Sequence, residues 1–135
     1  MALVTWKEIY SVGIKSIDDQ HLLLMNLLNE LHDAVIKKSE NEKIQDILNR
    51  LVRYTREHFL LEENLFAQHL YPDAKAHTEE HRKLTTQVEE FTARLRKGET
   101  TLGLPMLRFL QEWLTGHILN SDQRYSQHLK QHGVK

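Results

Sequence analysis

Four stretches of this chain carry inward-type residues at alternating steps of three and four, and almost nothing interrupts them. That spacing returns a side chain to the same face of an α-helix every turn. The stripes read His21, Leu24, Leu28, Leu31 and Val35; Ile44, Ile47, Leu51, Tyr54 or Thr55, His58, Glu62 and Leu65; Ala74, His77, His81, Leu84, Val88, Phe91 and Leu95; and Leu107, Leu110, Leu114, His117 and Ser121. Helix breakers are scarce, with 5 Gly and 2 Pro in 135 residues, and all but Gly116 fall outside the stripes. The pattern predicts helices over about 19–37, 41–68, 74–97 and 104–129. Asp18 and Asp19 offer an N-cap to the first, and Lys37-Lys38 suits its C-terminus. Pro72 separates the second helix from the third, and Pro105 fits the first turn of the fourth. Residues 1–17 keep no period and read as an arm packed on the outside. No alternating Val- or Ile-rich run argues for a strand. The expected fold is all-α, one domain over 1–135, an antiparallel up-down-up-down four-helix bundle with an N-terminal arm.

Composition narrows the function. Lys and Arg number 18 against 19 Asp and Glu, a net charge of −1. The electrostatic footprint of a nucleic-acid or anionic-membrane binder is missing, and the EEHRK and RLRK runs read as solvated helix faces. There is no Cys, so disulfides, thiolate zinc sites and cysteine-held iron–sulfur clusters are ruled out. No secretory signal and no spanning segment is visible. The expectation is a cytoplasmic monomer.

The stripes change character at one level. His21 lies early in the first helix, and His58 with Glu62 late in the second. His77 and His81 lie early in the third, and His117 with Asp122 late in the fourth. In an antiparallel bundle the start of odd helices lies beside the end of even ones, so all seven converge at one end of the bundle interior. Burying a polar group without a partner costs about 2–7 kcal/mol, against a net stability of about 5–15 kcal/mol. Bound metal is the natural compensation, and imidazole with carboxylate suits Zn, Fe, Cu or Ni. His77/His81 and His58/Glu62 are one turn apart and can each chelate. His117 and Asp122 are five apart, roughly 140° around a straight helix. Either Asp122 reaches the site from the side, or the helix is locally distorted. Five imidazoles and two carboxylates exceed the needs of one ion. Two six-coordinate ions sharing both carboxylates and a bridging oxygen would leave one position open.

Trp6, GIKSIDDQH ending at His21, HFLLEE from His58, HTEEH from His77 and HILNSD from His117 together resemble the hemerythrins, specifically the single-domain bacterial ones. The resemblance runs from Trp6 to about Tyr125. It implies two iron ions without haem, one held by His77, His81 and His117, the other by His21 and His58. Glu62, Asp122 and an oxo or hydroxo group would bridge them. It further implies reversible O2 binding on the two-histidine iron, with two electrons drawn from the pair, for transport, storage or delivery. Such a scheme needs no catalytic side chain, so the pocket should be apolar, and Leu24, Trp113 and Leu114 are placed to line it. Spacing alone leaves zinc and manganese open; the resemblance supplies iron.

The rival readings differ in chemistry. HTEEH lacks the Glu beside the first His that a zinc protease of HExxH type needs. A ferritin-like oxidase uses Glu-x-x-His pairs, and the chain has none. A di-iron oxidase, peroxidase or nitric oxide-handling enzyme on the same site, or an O2 or redox sensor, stands as the alternative to a binding protein. His32, His69, His128 and His132 fall outside the pattern and read as surface residues.

Overall fold

The structure is a computed structural model and describes residues 4–98 and 103–134. The loop expected between Gly98 and Gly103 lies, over 99–102, outside the described residues, as do the first three residues of the arm. The chain folds as a four-helix bundle: α1 (Lys15–Ile36), α2 (Asn41–His69), α3 (Ala74–Arg96), and a fourth rod made of α4 (Leu104–His117), a π-helical turn (Ile118–Asp122) and α5 (Gln123–Gln131). Among the described residues there is no strand.

The helix ends follow local chemistry. α1 closes with Lys38 in the left-handed region (φ 54°) and the Ser39 amide donating to the Ala34 carbonyl at 2.9 Å. This six-to-one bond satisfies a carbonyl that the helix itself leaves unpaired. α2 ends the same way, with Leu70 at φ 52° and the Tyr71 amide donating to Phe66 at 3.0 Å. Pro105 lies in the first turn of α4.

The arm is more integral than a packed-on strap. α1 begins at Lys15, four residues before the expected start, with Ile14 at the N-cap position. Asp18 does not cap this helix. Its carboxylate accepts from the Ser11 hydroxyl (2.6 Å) and the Val12 amide (2.9 Å), which ties the incoming chain to the first turn. Gly13 makes the bend at φ 76°, a conformation costly for any residue with a Cβ. Further out, Asn29 exchanges two hydrogen bonds with the Val4 backbone. Gln123 donates to the carbonyls of Ile9 and Ser11.

The interior consists of two dry clusters with a polar layer between them. The larger contains Leu24, Leu28, Leu31, Ile47, Leu48, Leu84, Leu95 and Leu107. The smaller contains Val12, Ile14, Ile17, Phe66, Tyr71, Tyr125 and Leu129. Val12, Ile14 and Ile17 are buried to 1% exposure or less. The arm therefore supplies the lid of the bundle.

The π-helical turn resolves the five-residue spacing on the fourth rod. In α-geometry His117 and Asp122 would diverge. Widening one turn absorbs a single extra residue. His117, Asp122, Tyr125 and Leu129 then continue one inward stripe, all buried.

Candidate metal centre

The polar layer holds all seven of the convergent side chains. His21, His58, Glu62, His77, His81, His117 and Asp122 are each exposed by 8% or less. α1 contributes His21, α2 His58 and Glu62, α3 His77 and His81, and the fourth rod His117, the last residue of α4, and Asp122, the last residue of the π-helical turn.

Distances sort them into two groups sharing carboxylates. The Nε2 atom of His117 lies 3.1 Å from that of His77 and 3.2 Å from that of His81. Three nitrogens bound to one ion at about 2.0–2.1 Å would sit roughly 3.0–3.4 Å apart. Three imidazoles thus converge at the separation that a common ion imposes. His21 and His58 form the other group, their ring centres 4.6 Å apart. Asp122 lies between the groups: Oδ1 is 3.1 Å from His77 Nε2 and 3.0 Å from His117 Nε2, and Oδ2 is 3.0 Å from His21 Nε2. Glu62 Oε1 lies 3.3 Å from both His58 Nε2 and His81 Nε2. Two four-residue sets could each hold an ion, Glu62 with His77, His81 and His117, and Glu62 with His21, His58 and Asp122.

Both oxygens of Glu62, both oxygens of Asp122 and both ring nitrogens of His21 are buried without a hydrogen-bond partner. Native interiors keep such orphans rare, and here they cluster at one point. Acceptor atoms aimed at each other from several helices are what a cation requires and what a metal-free core would avoid. The donor set, nitrogen-rich with two carboxylates, fits a pair of first-row transition ions.

Electrostatics agree. Burial pushes the His58 imidazole down to about 4 and the His81 imidazole down to about 2, the latter helped by the neighbouring His77 and His117. Both rings stay neutral at physiological pH and keep a lone pair for a metal. Burial, reinforced by the Asp122 charge, raises the Glu62 carboxyl above its usual range. Burial also opposes ionisation of Asp122, but the facing imidazoles of His117, His21 and His77 outweigh it and hold that carboxyl well below the ordinary value.

Aromatic rings and a few polar groups fix the imidazoles in place. Phe59 stacks on His81 with ring centres 3.7 Å apart, and Trp113 stacks on His117 at 4.4 Å. Gln20 lies 2.5 Å from His58 Nδ1. Glu80 lies 3.0 Å from His117 Nδ1 and accepts from the Ser121 hydroxyl at 2.7 Å. A side-chain acceptor on Nδ1 leaves Nε2 free to coordinate. Sequence reasoning did not name Gln20, placed Ser121 on the inward stripe without a role, and left Glu80 open between a solvated position and a support behind a ligating imidazole. Only its i+3 relation to His77 could have pointed inward.

A cavity of about 50 Å³ opens on the layer. Leu24, Trp113 and Leu114 line it, together with Leu28, Leu110 and Val88. Thr55 and Thr85 also border it, but their hydroxyls donate to carbonyls of their own helices.

The family profile described as the hemerythrin HHE cation binding domain matches residues 12–129. The chain belongs to the hemerythrin family. A bacteriohemerythrin of Stenotrophomonas maltophilia (strain R551-3) is 33% identical over 132 residues, 98% of this chain and 85% of that protein. One from Methylococcus capsulatus (strain ATCC 33009 / NCIMB 11132 / Bath) is 32% identical, covering 93% of this chain and 95% of its own. The solved structure of a wild-type hemerythrin superposes with a TM-score of 0.91 at 30% identity, over 95% of this chain and 98% of that one. A leucine-to-alanine variant of hemerythrin gives 0.92. The hemerythrin bundle is therefore shared over nearly the full described length, arm included, and a hemerythrin domain implies a non-haem di-iron centre.

Proposed function

We propose that this hemerythrin binds O2 reversibly at a pair of iron ions, as a carrier, store or delivery protein. His77, His81 and His117 would hold one ion and His21 and His58 the other, with Glu62 and Asp122 bridging. The observation that carries the reading is the unequal division of imidazoles, three against two, around shared carboxylates. One ion is left a ligand short, beside an apolar cavity large enough for a ligand of a few atoms. A ferrous pair held by these seven residues would supply the two electrons that reversible O2 binding draws on. The chain's own part is to hold both ions in fixed register and to keep water away. Apart from His21, His58, His117 and Asp122, the cavity's polar lining is Arg56 and the two inward-bonded threonines. No further carboxyl or imidazole stands there to pass protons to a ligand, which favours binding over turnover. No helix of the described residues is long and apolar enough to cross a membrane.

The test is to load Fe(II) under anaerobic conditions, admit O2, withdraw it and repeat, following the visible spectrum and the iron content. Two irons per chain and a colour that comes and goes with O2 are expected. A colour that appears once and persists overturns reversible binding in favour of an oxidase or redox sensor. Failure to take up iron overturns the site.

Two substitutions probe the parts. Leu114→Ala opens the cavity wall beside Trp113 and His117. Oxidation of the oxygenated protein should become on the order of tenfold faster, equivalent to about 1.4 kcal/mol off the barrier. An unchanged decay rate would mean that Leu114 does not exclude water. Glu80→Ala removes the acceptor on His117 Nδ1 and should weaken iron binding by about 10–100-fold, read by competition with a chelator. Glu80→Gln keeps an acceptor oxygen and should restore most of it.

A further inference from the structure

A second cluster of imidazoles lies away from the polar layer. His69 ends α2 and His128 lies in α5, with His132 at that helix's C-cap. His128 and His132 are one turn apart, and their ring centres are 4.3 Å apart. His69 and His132 are 6.0 Å apart by the same measure. The buried group His77, His81 and His117 shows separations of 4.5, 4.6 and 5.1 Å. The α5 pair is therefore as close as imidazoles already poised around one ion, and His69 stands about an ångström further out than the widest pair of that group.

Hydrogen bonding decides which nitrogens are free. His128 Nε2 lies 2.6 Å from the His69 carbonyl, and His132 Nδ1 lies 2.8 Å from the His128 carbonyl. A carbonyl only accepts, so both ring nitrogens must donate. Each ring is thereby fixed in one tautomer, with a lone pair on His128 Nδ1 and on His132 Nε2. Donation of the opposite ring N–H to a backbone carbonyl is the arrangement that orients metal-ligating histidines in general. The Tyr71 ring, 5.4 Å from that of His128, packs against the site. His128 is half-buried and His132 exposed, so an ion has access from solvent.

We infer that His128 and His132 form a second metal site that takes a borderline divalent cation of the Zn2+, Ni2+ or Cu2+ type, with water filling the rest of its coordination. Imidazole-only donors select these ions over Mg2+ or Ca2+. The site is independent of the buried centre and of what that centre binds.

Zn2+ is the probe, because it brings no redox chemistry to the buried centre. Equilibrium dialysis at a free Zn2+ of about 1–10 µM compares the wild-type protein with His128→Ala/His132→Ala. The difference between the two counts is read, so the occupancy of the buried centre cancels. One additional Zn2+ per wild-type chain is expected. His132→Ala alone, at an exposed position that does not hold the fold, should weaken uptake at least tenfold. Zn2+ should also raise the Tm of the wild-type protein by more than that of His132→Ala. Ring 15N shifts at His128 and His132 should move on titration. Equal Zn2+ counts in wild type and double variant would overturn the site, as would uptake that needs millimolar Zn2+.

Discussion

Glu62→Ala is expected to strip metal from both positions at once. Glu62 is the residue common to the two candidate ligand sets, and its Oε1 lies 3.3 Å from one imidazole of each. Removing a group that merely orients a ligand costs about 10–100-fold in affinity, and losing the ligand itself costs each ion at least that. Metal analysis after dialysis should fall from two ions per chain to fewer than one, with helical circular dichroism retained. Two tightly held ions in the variant would refute the bridging assignment. Glu62→Gln separates charge from shape. It keeps one oxygen and the side-chain volume, so it should hold metal better than the alanine and worse than the native carboxylate.

The second large effect concerns the protein without metal. A ligand present at a thousand times its dissociation constant stabilises a fold by about 4 kcal/mol. In a chain of this length that corresponds to roughly 10–20 °C in Tm. Chelation should therefore lower the melting temperature by about that amount, and re-addition of Fe(II) should restore it. The pH dependence of the metal-free form follows from its buried groups. His58 and His81 resist protonation when folded, down to about 4 and about 2. The unfolded chain takes up those protons near 6.5, so stability falls as pH drops from 6.5 towards 4. Glu62 acts in the opposite direction. Its raised folded value favours the protonated carboxyl, a contribution present below about 4.5 and lost as pH rises through the folded value. The metal-free protein is thus opposed from both sides, and melting curves across pH should show it. A Tm that ignores chelation would mean the layer is stable without metal.

The bundle and its polar layer were legible in the sequence because both rest on helical period, which a linear chain displays directly. His77, His81, His58 and Glu62 sit at steps of four, and the antiparallel order brings them together. Three features were not legible. The π-helical turn showed only as a misfit, the five-residue step from His117 to Asp122, since no residue type marks a widened turn. The start of α1 was misplaced because Asp18 carries the residue type of a cap while serving as an anchor for Ser11 and Val12. The supports of the imidazoles were hidden for another reason. Gln20 and Glu80 are ordinary surface types, and only the folded geometry turns them towards His58 and His117; Ser121 lay on the inward stripe, but its bond to Glu80 did not show.

The polar layer lies between two dry clusters rather than at the open end of the bundle, and this has a consequence for cooperativity. The smaller cluster, made of Val12, Ile14, Ile17, Phe66, Tyr71, Tyr125 and Leu129, meets the rest of the core across imidazole and carboxylate edges. Ions bound in that layer would act as rivets between two otherwise separable blocks. Without them, the block formed by the arm and the ends of α2 and α5 becomes a low-energy opening unit of its own, exchanging its amide protons well before the larger block does.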